Sequence, residues 1–306
     1  MQLRQVLQFG LKRLDDNNVP SPQLAAEILL MHVLSCDRSR LYASPEVEVP
    51  DELAGRYFEL IDERSTGKPT QYITGHQEFW GLDFEVTPDV LIPRPETEHV
   101  IEAVIELAQG HCAGPRRHLP LRMIDVGTGS GAIALALASE FPRATVMATD
   151  ISPSALDVAH RNAERLGFAN RVAFFAGDLL APILGPIPAM LDFDFVLSNP
   201  PYVSPCEIAS MQREVRDFEP RIALGGFDQG DEVYRRLLPQ ALAALKPGGH
   251  LVVEIGYNMG PGISALFGDG WTGIEVRPDL AGIPRVVTAE KRRLNHGQNA
   301  EPNPPR

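Results

Sequence analysis

Cysteine is scarce in this chain. There are three in 306 residues, Cys36, Cys112 and Cys206, far apart and without a Cys-x-x-Cys pair. That argues against a disulfide framework and a thiolate zinc cluster, and places free thiols in a reducing, cytoplasmic compartment. The eight histidines include no His-x-His or His-x-x-x-His pair, so no metal is expected. His111, beside Cys112, lies in a Gly/Pro/Arg stretch that reads as a loop. Basic residues are short too: 28 Lys and Arg against 40 Asp and Glu leave a net charge of −12. Tight nonspecific binding to a nucleic-acid backbone needs a basic footprint, so no direct nucleic-acid partner is expected, while an acidic face suits a basic protein. Long apolar runs are also missing. "AIALALA" is far too short to span a bilayer. The amphipathic start "MQLRQVLQFGLKRL" lacks the unbroken apolar core of a signal peptide. No membrane association is expected.

What remains is an ordinary globular composition, 44% hydrophobic and 22% charged, with enough apolar mass for a core. The first seventy or so residues read as helices. Leu3, Val6, Leu7, Leu11 and Leu14 recur at helical spacing, and Asp15 to Pro20 break that helix. Ser21 offers an N-cap with Pro22 at the first helical position. A third helix is expected from Asp51 to near Gly67, giving a small helical bundle with no catalytic constellation of its own. It is either structural or a partner-recognition unit. "EFWGLDFEV" then has two aromatic-rich halves around Gly81, a hairpin signal. "PRPETEHVIEAVIELAQG" turns helical again. From residue 121 the chain alternates: "LRMIDV", "ATVMATD", "RVAFFAGD", "FDFVLS" and "HLVVEIG" read as strands, separated by helical stretches. This pattern predicts an α/β fold with a parallel, doubly wound sheet. "DEVYRRLLPQALAALKPGG" reads as a helix closed by its Gly pair. The tail after Arg292 has little to bury and is expected to be disordered.

The stretch "DVGTGSG" (125–131) ends one strand and opens a helix. Gly127, Gly129 and Gly131 let the backbone turn tightly and approach a ligand, and the helix start presents free N–H groups. The spacing is Gly-x-Gly-x-Gly, not the dinucleotide Gly-x-Gly-x-x-Gly, which disfavours NAD without excluding it. Asp150 ends the next strand, where a carboxylate can accept both hydroxyls of a ribose, whether of NAD or of S-adenosylmethionine. The alternative is a cap on the helix starting near Pro153. Asp178 ends the third strand, placed either to reach an adenine amino group or to serve as a surface carboxylate. With Asp125, these acids at successive strand ends indicate a ligand across the carboxyl edge of the sheet.

"NPPY" (199–202) follows the strand "FDFVLS". It is either an Asn-Pro turn or a catalytic pocket. If the methyl donor is a sulfonium, an amide or exocyclic amine nitrogen is a poor nucleophile, because its lone pair is delocalised. Accepting hydrogen bonds from both N–H groups frees that lone pair. The Asn199 side-chain oxygen and the Pro200 carbonyl are the candidate acceptors. Pro200 and Pro201 stiffen the backbone that aims them, and Tyr202 offers a flat face to a planar amide or base.

Together, "DVGTGSG", Asp150, "GDLL" and "NPPY" resemble a class I S-adenosylmethionine-dependent methyltransferase of the amino-nitrogen type. "LIPRPETE" (91–98), "VRDFEPRIAL" (215–224) and "AGIPRVVTA" (281–289) are similar to the HemK/PrmC family of release factor N5-glutamine methyltransferases. "PTQYITGHQEFWGLDF" and "PSPQLAAEILLMHVLSCDRSRLYA" fit that family's linker and helical domain. The resemblance implies a Rossmann-like domain with a mostly parallel seven-stranded sheet over 93–291. A helical substrate-recognition domain would occupy 1–73, a β-hairpin linker 74–92, and a tail 292–306. It implies S-adenosylmethionine held by Gly127, Thr128, Gly129, Ser130 and Gly131, with Asp150 on the ribose and Asp178 and Leu179 flanking the adenine. Asn199 would face both cofactor and substrate. Asn199, Pro200, Pro201 and Tyr202 would clamp the glutamine of a Gly-Gly-Gln motif in class 1 release factors. The protein would act as a monomer. A ribosomal-protein glutamine is the second substrate to consider, and a nucleic-acid amino nitrogen the third. In "LIPRPETE", Arg94 and Glu96 either start a helix, with Pro95 in its first turn and Glu98 near its positive end, or help close the site over substrate.

Overall fold

The computed structural model describes residues 1–111, 120–185, 191–225 and 230–293. The expected loop around Cys112 and the tail from 294 onward lie outside them. The chain divides into two compact units: Met1–Pro93 with Val203–Asp228, and Arg94–Tyr202 with Gln229–Arg306.

In the first unit, helices Leu3–Asp16, Pro22–Leu34 and Asp51–Ser65 pack around Val6, Leu14, Leu29, Leu30, Tyr57 and Ile61, all fully buried. These are the apolar positions of the helical repeat, and their burial drives the bundle together. Gly10 is the contact point. A Cβ there would meet Tyr57 Oη at 1.9 Å, so only glycine lets the first helix lie against that ring. Ser21 does precede the second helix, but at φ +48° and without a side-chain cap bond. Two short helices, Arg38–Ala43 and Thr70–Thr74, carry too few apolar positions to show in the periodicity. The hairpin pairs β1 (His76–Phe79) with β2 (Leu82–Glu85) through Trp80 and Gly81. Both turn residues have positive φ, 54° and 70°, the handedness that matches a twisted two-residue hairpin.

Residues 203–228 belong to this helical unit, whereas the sequence reading kept them within the methyltransferase domain. Short helices Pro205–Ser210, Arg213–Phe218 and Arg221–Leu224 occupy the segment. It is tied in by Arg64, 3% exposed, which donates from Nη2 to Glu214 Oε2 at 2.6 Å.

The second unit is built on seven strands: β3 (Arg122–Val126), β4 (Thr145–Asp150), β5 (Val172–Ala176), β6 (Phe193–Ser198), β7 (Leu245–Glu254), β8 (Trp271–Pro278) and β9 (Pro284–Lys291). Their order is β5-β4-β3-β6-β7-β9-β8. The first five run parallel, and β9 lies antiparallel between β7 and β8. The order reverses at β3: β4 and β5 lie to one side of it and β6 and β7 to the other. This is the switch point at which open α/β sheets bind ligands. Strand β7 starts at Leu245, so "KPGG" lies inside the strand rather than closing the preceding helix. A bulge absorbs it, because Phe193 pairs with Leu245 but Phe195 pairs with His250. No described helix is long and apolar enough to cross a membrane.

Candidate active site

The glycine loop follows β3, the strand at the switch point. The N–H groups of Gly127 and Thr128 both donate to Thr149 O, at 2.8 and 3.0 Å, which folds the loop over the end of β4. All three glycines have positive φ, 76°, 55° and 85°. A Cβ on Gly127 or Gly129 would point into open space, whereas one on Gly131 would meet Leu135 and Ala159. The first two glycines therefore offer backbone to a ligand, and the third lets the helix Ala132–Glu140 pack closely.

Thr128 and Ser130 are only 6% and 3% exposed. Thr128 Oγ1 donates to Asp125 Oδ2 at 2.6 Å, and Ser130 O accepts from Asn162 Nδ2 at 3.0 Å. The Thr128 side chain and the Ser130 carbonyl brace the loop from beneath, and both residues are buried. Asp125 is wholly buried inside β3, so it serves the same support rather than the sheet's edge. Burial pushes its carboxyl up to about 7, against the pull of Thr128. Asn162, fully buried on the helix Pro153–Arg165, is a loop anchor that sequence reasoning missed. Its signal was a polar residue on the apolar face of that helix.

Asp150 ends β4 beside the loop. Its Oδ2 accepts Gly129 N–H at 2.8 Å and its Oδ1 accepts Ser152 N–H at 2.9 Å. The helix cap belongs instead to Ser152, whose Oγ accepts Ala155 N–H at 3.3 Å. Burial raises the Asp150 carboxyl above the usual range while these backbone donors oppose the rise. Each oxygen keeps a lone pair for further donors. Asp178 is different: it is exposed and pairs with Arg236. Leu179 next to it sits at φ +50°, unusual for a branched side chain, and packs on the sheet's core.

Asn199 follows β6. Val126 and Ser198 are partners across β3 and β6, and Ser198 Oγ donates to Val126 O at 2.7 Å. The Gly loop and Asn-Pro-Pro-Tyr thus leave neighbouring strand ends side by side. Pro200 is buried, and Asn199, Pro201 and Tyr202 are half-buried. Asn199 Nδ2 donates to Thr97 Oγ1 at 3.0 Å, and Thr97 Oγ1 donates to Glu254 Oε2 at 2.6 Å. Tyr202 Oη donates to the other oxygen, Glu254 Oε1, at 3.3 Å. The Tyr202 ring lies so near Gly256 that a Cβ there would sit 2.9 Å from Cδ2. Glu254, at the end of β7, is 3% exposed, and burial pushes its carboxyl up to about 7. Thr97 and Glu254 were not among the sequence candidates, although both lie in quoted stretches, "LIPRPETE" and "HLVVEIG". The first stretch does start a helix: Pro95–Thr97 forms a short turn leading into Glu98–His111. Glu96 lies 3.8 Å from Arg285.

A reversing α/β sheet with this loop and this strand end defines a class I methyltransferase domain, and residues 118–263 match the model described as "Methyltransferase domain". Residues 5–75 match "PrmC N-terminal domain". A release factor glutamine methyltransferase of Koribacter versatilis is 49% identical over 95% of this chain and 99% of its own. One from Moorella thermoacetica is 46% identical over the same shares, 95% and 99%. A solved 16S rRNA methyltransferase of T. thermophilus, in complex with AdoMet and guanosine, superposes with a TM-score of 0.50 at 20% identity, over 71% of this chain and 50% of its own, and so shares the fold. The chain belongs to the release factor glutamine methyltransferase family.

Proposed function

We propose that the protein transfers a methyl group from S-adenosylmethionine to the side-chain amide nitrogen of the glutamine in the Gly-Gly-Gln motif of class 1 release factors. One observation carries the reading: the Gly loop and Asn199 leave adjacent parallel strands, tied by Ser198 Oγ to Val126 O at 2.7 Å. A group on the loop and a group on Asn199 are thereby neighbours.

The residues fit the cofactor. Gly127 and Gly129 have nothing within 4 Å of where a Cβ would stand, and Asp150 keeps lone pairs for two ribose hydroxyls. Bound there, S-adenosylmethionine supplies an electrophilic methyl group. Asp178 would meet an adenine amino group by giving up Arg236, with Leu179 against the ring.

The protein's own work is on the acceptor. An amide nitrogen shares its lone pair with its carbonyl. Asn199 Oδ1 and the Pro200 carbonyl would accept its two N–H bonds and let the lone pair leave the amide plane. Because Pro200 is buried and Asn199 is anchored through Nδ2, these acceptors are pre-aimed and need little reorganisation. No general base is required before transfer, since the cationic product sheds its proton afterwards. The relatives' names point to a release factor as substrate. The net charge of −12 speaks against a nucleic-acid acceptor. This activity belongs in the cytoplasm, where translation terminates.

The test is transfer of labelled methyl to a recombinant release factor, wild type or with the motif glutamine changed to glutamate. Label on the wild type alone is expected. Label on both, on neither, or on tRNA instead would refute the assignment.

A further inference from the structure

Glu254 is a buried acid that the reaction as described leaves without a task. We propose that Glu254 is a positioning residue for methyl transfer: held between Thr97 and Tyr202, it dictates which end of the Asn199 side-chain amide faces the substrate. The inference rests on the reading above, in which Asn199 Oδ1 accepts a substrate N–H.

A threonine hydroxyl has one hydrogen to give and lone pairs to receive. Thr97 gives its hydrogen to Glu254 Oε2 at 2.6 Å. Toward Asn199, 3.0 Å away, it can then only accept. Asn199 must therefore turn its NH2 group to Thr97, which leaves Oδ1 on the opposite branch for the substrate. An ionised carboxylate accepts and cannot donate, so Glu254 fixes the polarity of the whole chain. Its second oxygen receives Tyr202 Oη at 3.3 Å, so one side chain anchors both polar ends of Asn-Pro-Pro-Tyr.

A proton on Oε2 reverses this. Thr97 would accept from Glu254 and release its own hydrogen toward Asn199. The amide would be drawn to flip, presenting NH2 to the substrate's N–H groups, donor against donor. The groups facing Glu254 are Glu96 from the Pro95–Thr97 turn, Arg285 from β9, Tyr202 after β6, and Tyr234, whose Oη donates to Glu254 O at 2.7 Å. Burial pushes the carboxyl up, Glu96 adds to the push, and Thr97, Tyr202 and Arg285 oppose it, with the balance at about 7. Methyl transfer should then switch off as the pH falls through that value.

Two measurements decide it. With asparagine-labelled protein, the Asn199 side-chain amide resonances, assigned by their loss in Asn199→Ala, are followed from roughly pH 5.5 to 8.5. They should titrate near neutrality in the wild type and stay flat in Glu254→Gln. Asp125, which titrates in the same range, remains in both proteins and is controlled for. In parallel, kcat on the release factor should fall about tenfold per pH unit on the acid side in the wild type and lose that limb in Glu254→Gln. Thr97→Ser should keep kcat within about threefold, while Thr97→Val should lose on the order of 30-fold with cofactor affinity little changed. Flat Asn199 resonances in the wild type, an unchanged titration in Glu254→Gln, or full kcat in Thr97→Val would each overturn the proposal. If the wild type fails to methylate the release factor, the substrate reading falls and the resonance titration still decides this one.

Discussion

Raising the pH from the ordinary carboxyl range up to neutrality should destabilise the second unit, and two side chains set the size of the effect. Asp125 and Glu254 are 0% and 3% exposed. Burial pushes Asp125 from 3.8, and Glu254 from 4.5, up to about 7. Below the ordinary values both are protonated whether the chain is folded or not, and neither contributes a pH dependence. Between those values and about 7, the unfolded chain has released both protons while the folded one retains them, so stability falls as the pH rises. Above 7 the folded state ionises as well and the loss is complete. Each pH unit between the unfolded and folded titration points is worth ~1.4 kcal/mol. Asp125 therefore costs on the order of 4 kcal/mol and Glu254 on the order of 3, upper limits because a buried carboxylate draws in water and rearranges its neighbours. Asp150, also raised by burial, acts in the same direction. Asp279, held low by the N–H of Ile283 and by Arg285, acts in the opposite one. Glu254→Gln isolates one contribution. The chain has two tryptophans, Trp80 in the hairpin and Trp271 in β8, so a Trp80→Phe background makes fluorescence report on the sheet. Urea unfolding at a series of pH values should show a stability loss smaller by about 2 kcal/mol in Glu254→Gln than in its parent. Parallel curves for the two proteins would refute the burial argument.

Two other substitutions follow from the geometry. Asp150→Asn should weaken cofactor affinity about tenfold or more by titration calorimetry, because it replaces an acceptor of the loop and of the ribose with a donor; Asp178→Asn, on an exposed ion pair, should weaken it far less. Equal losses would show that Asp178 leaves Arg236 and binds as strongly as Asp150. Gly10→Ala should cost the helical unit about 3 kcal/mol or more, because the new methyl falls 1.9 Å from Tyr57 Oη in a packed core. Thermal unfolding close to wild type would mean that the first helix can shift away from Tyr57.

The site was legible where chemistry writes a local pattern. Gly-x-Gly-x-Gly, a strand-end acid and Asn-Pro-Pro-Tyr each occupy a few consecutive residues, and strand periodicity put them on one edge. Two features were not legible, for different reasons. Thr128 and Ser130 alternate with the loop glycines, and the letters do not say which way a side chain turns. With the three glycines at positive φ, the Thr128 hydroxyl turns inward to Asp125 and the Ser130 carbonyl meets Asn162. The strand and helix signals also hid the membership of residues 203–228. Nothing in three short helices of four to six residues tells which core they join.

Thr97 and Glu254 show the harder limit. Glu254 lies 157 residues from Thr97 and 52 from Tyr202 along the chain. A glutamate ending an apolar strand reads as the place where the chain meets water. It ends a strand flanked by β6 and β9, and three hydroxyls, those of Thr97, Tyr202 and Tyr234, converge on its carboxylate and backbone carbonyl. Burying an acid costs several kcal/mol unless it is paired, and a stability argument alone would favour glutamine or leucine there. Glutamine can accept from Thr97, but its NH2 group can equally face Thr97 and reverse the polarity passed to Asn199. Only an ionised carboxylate excludes that alternative. The same burial that destabilises the fold above neutrality is therefore what gives Asn-Pro-Pro-Tyr a single orientation at the pH where the carboxylate forms.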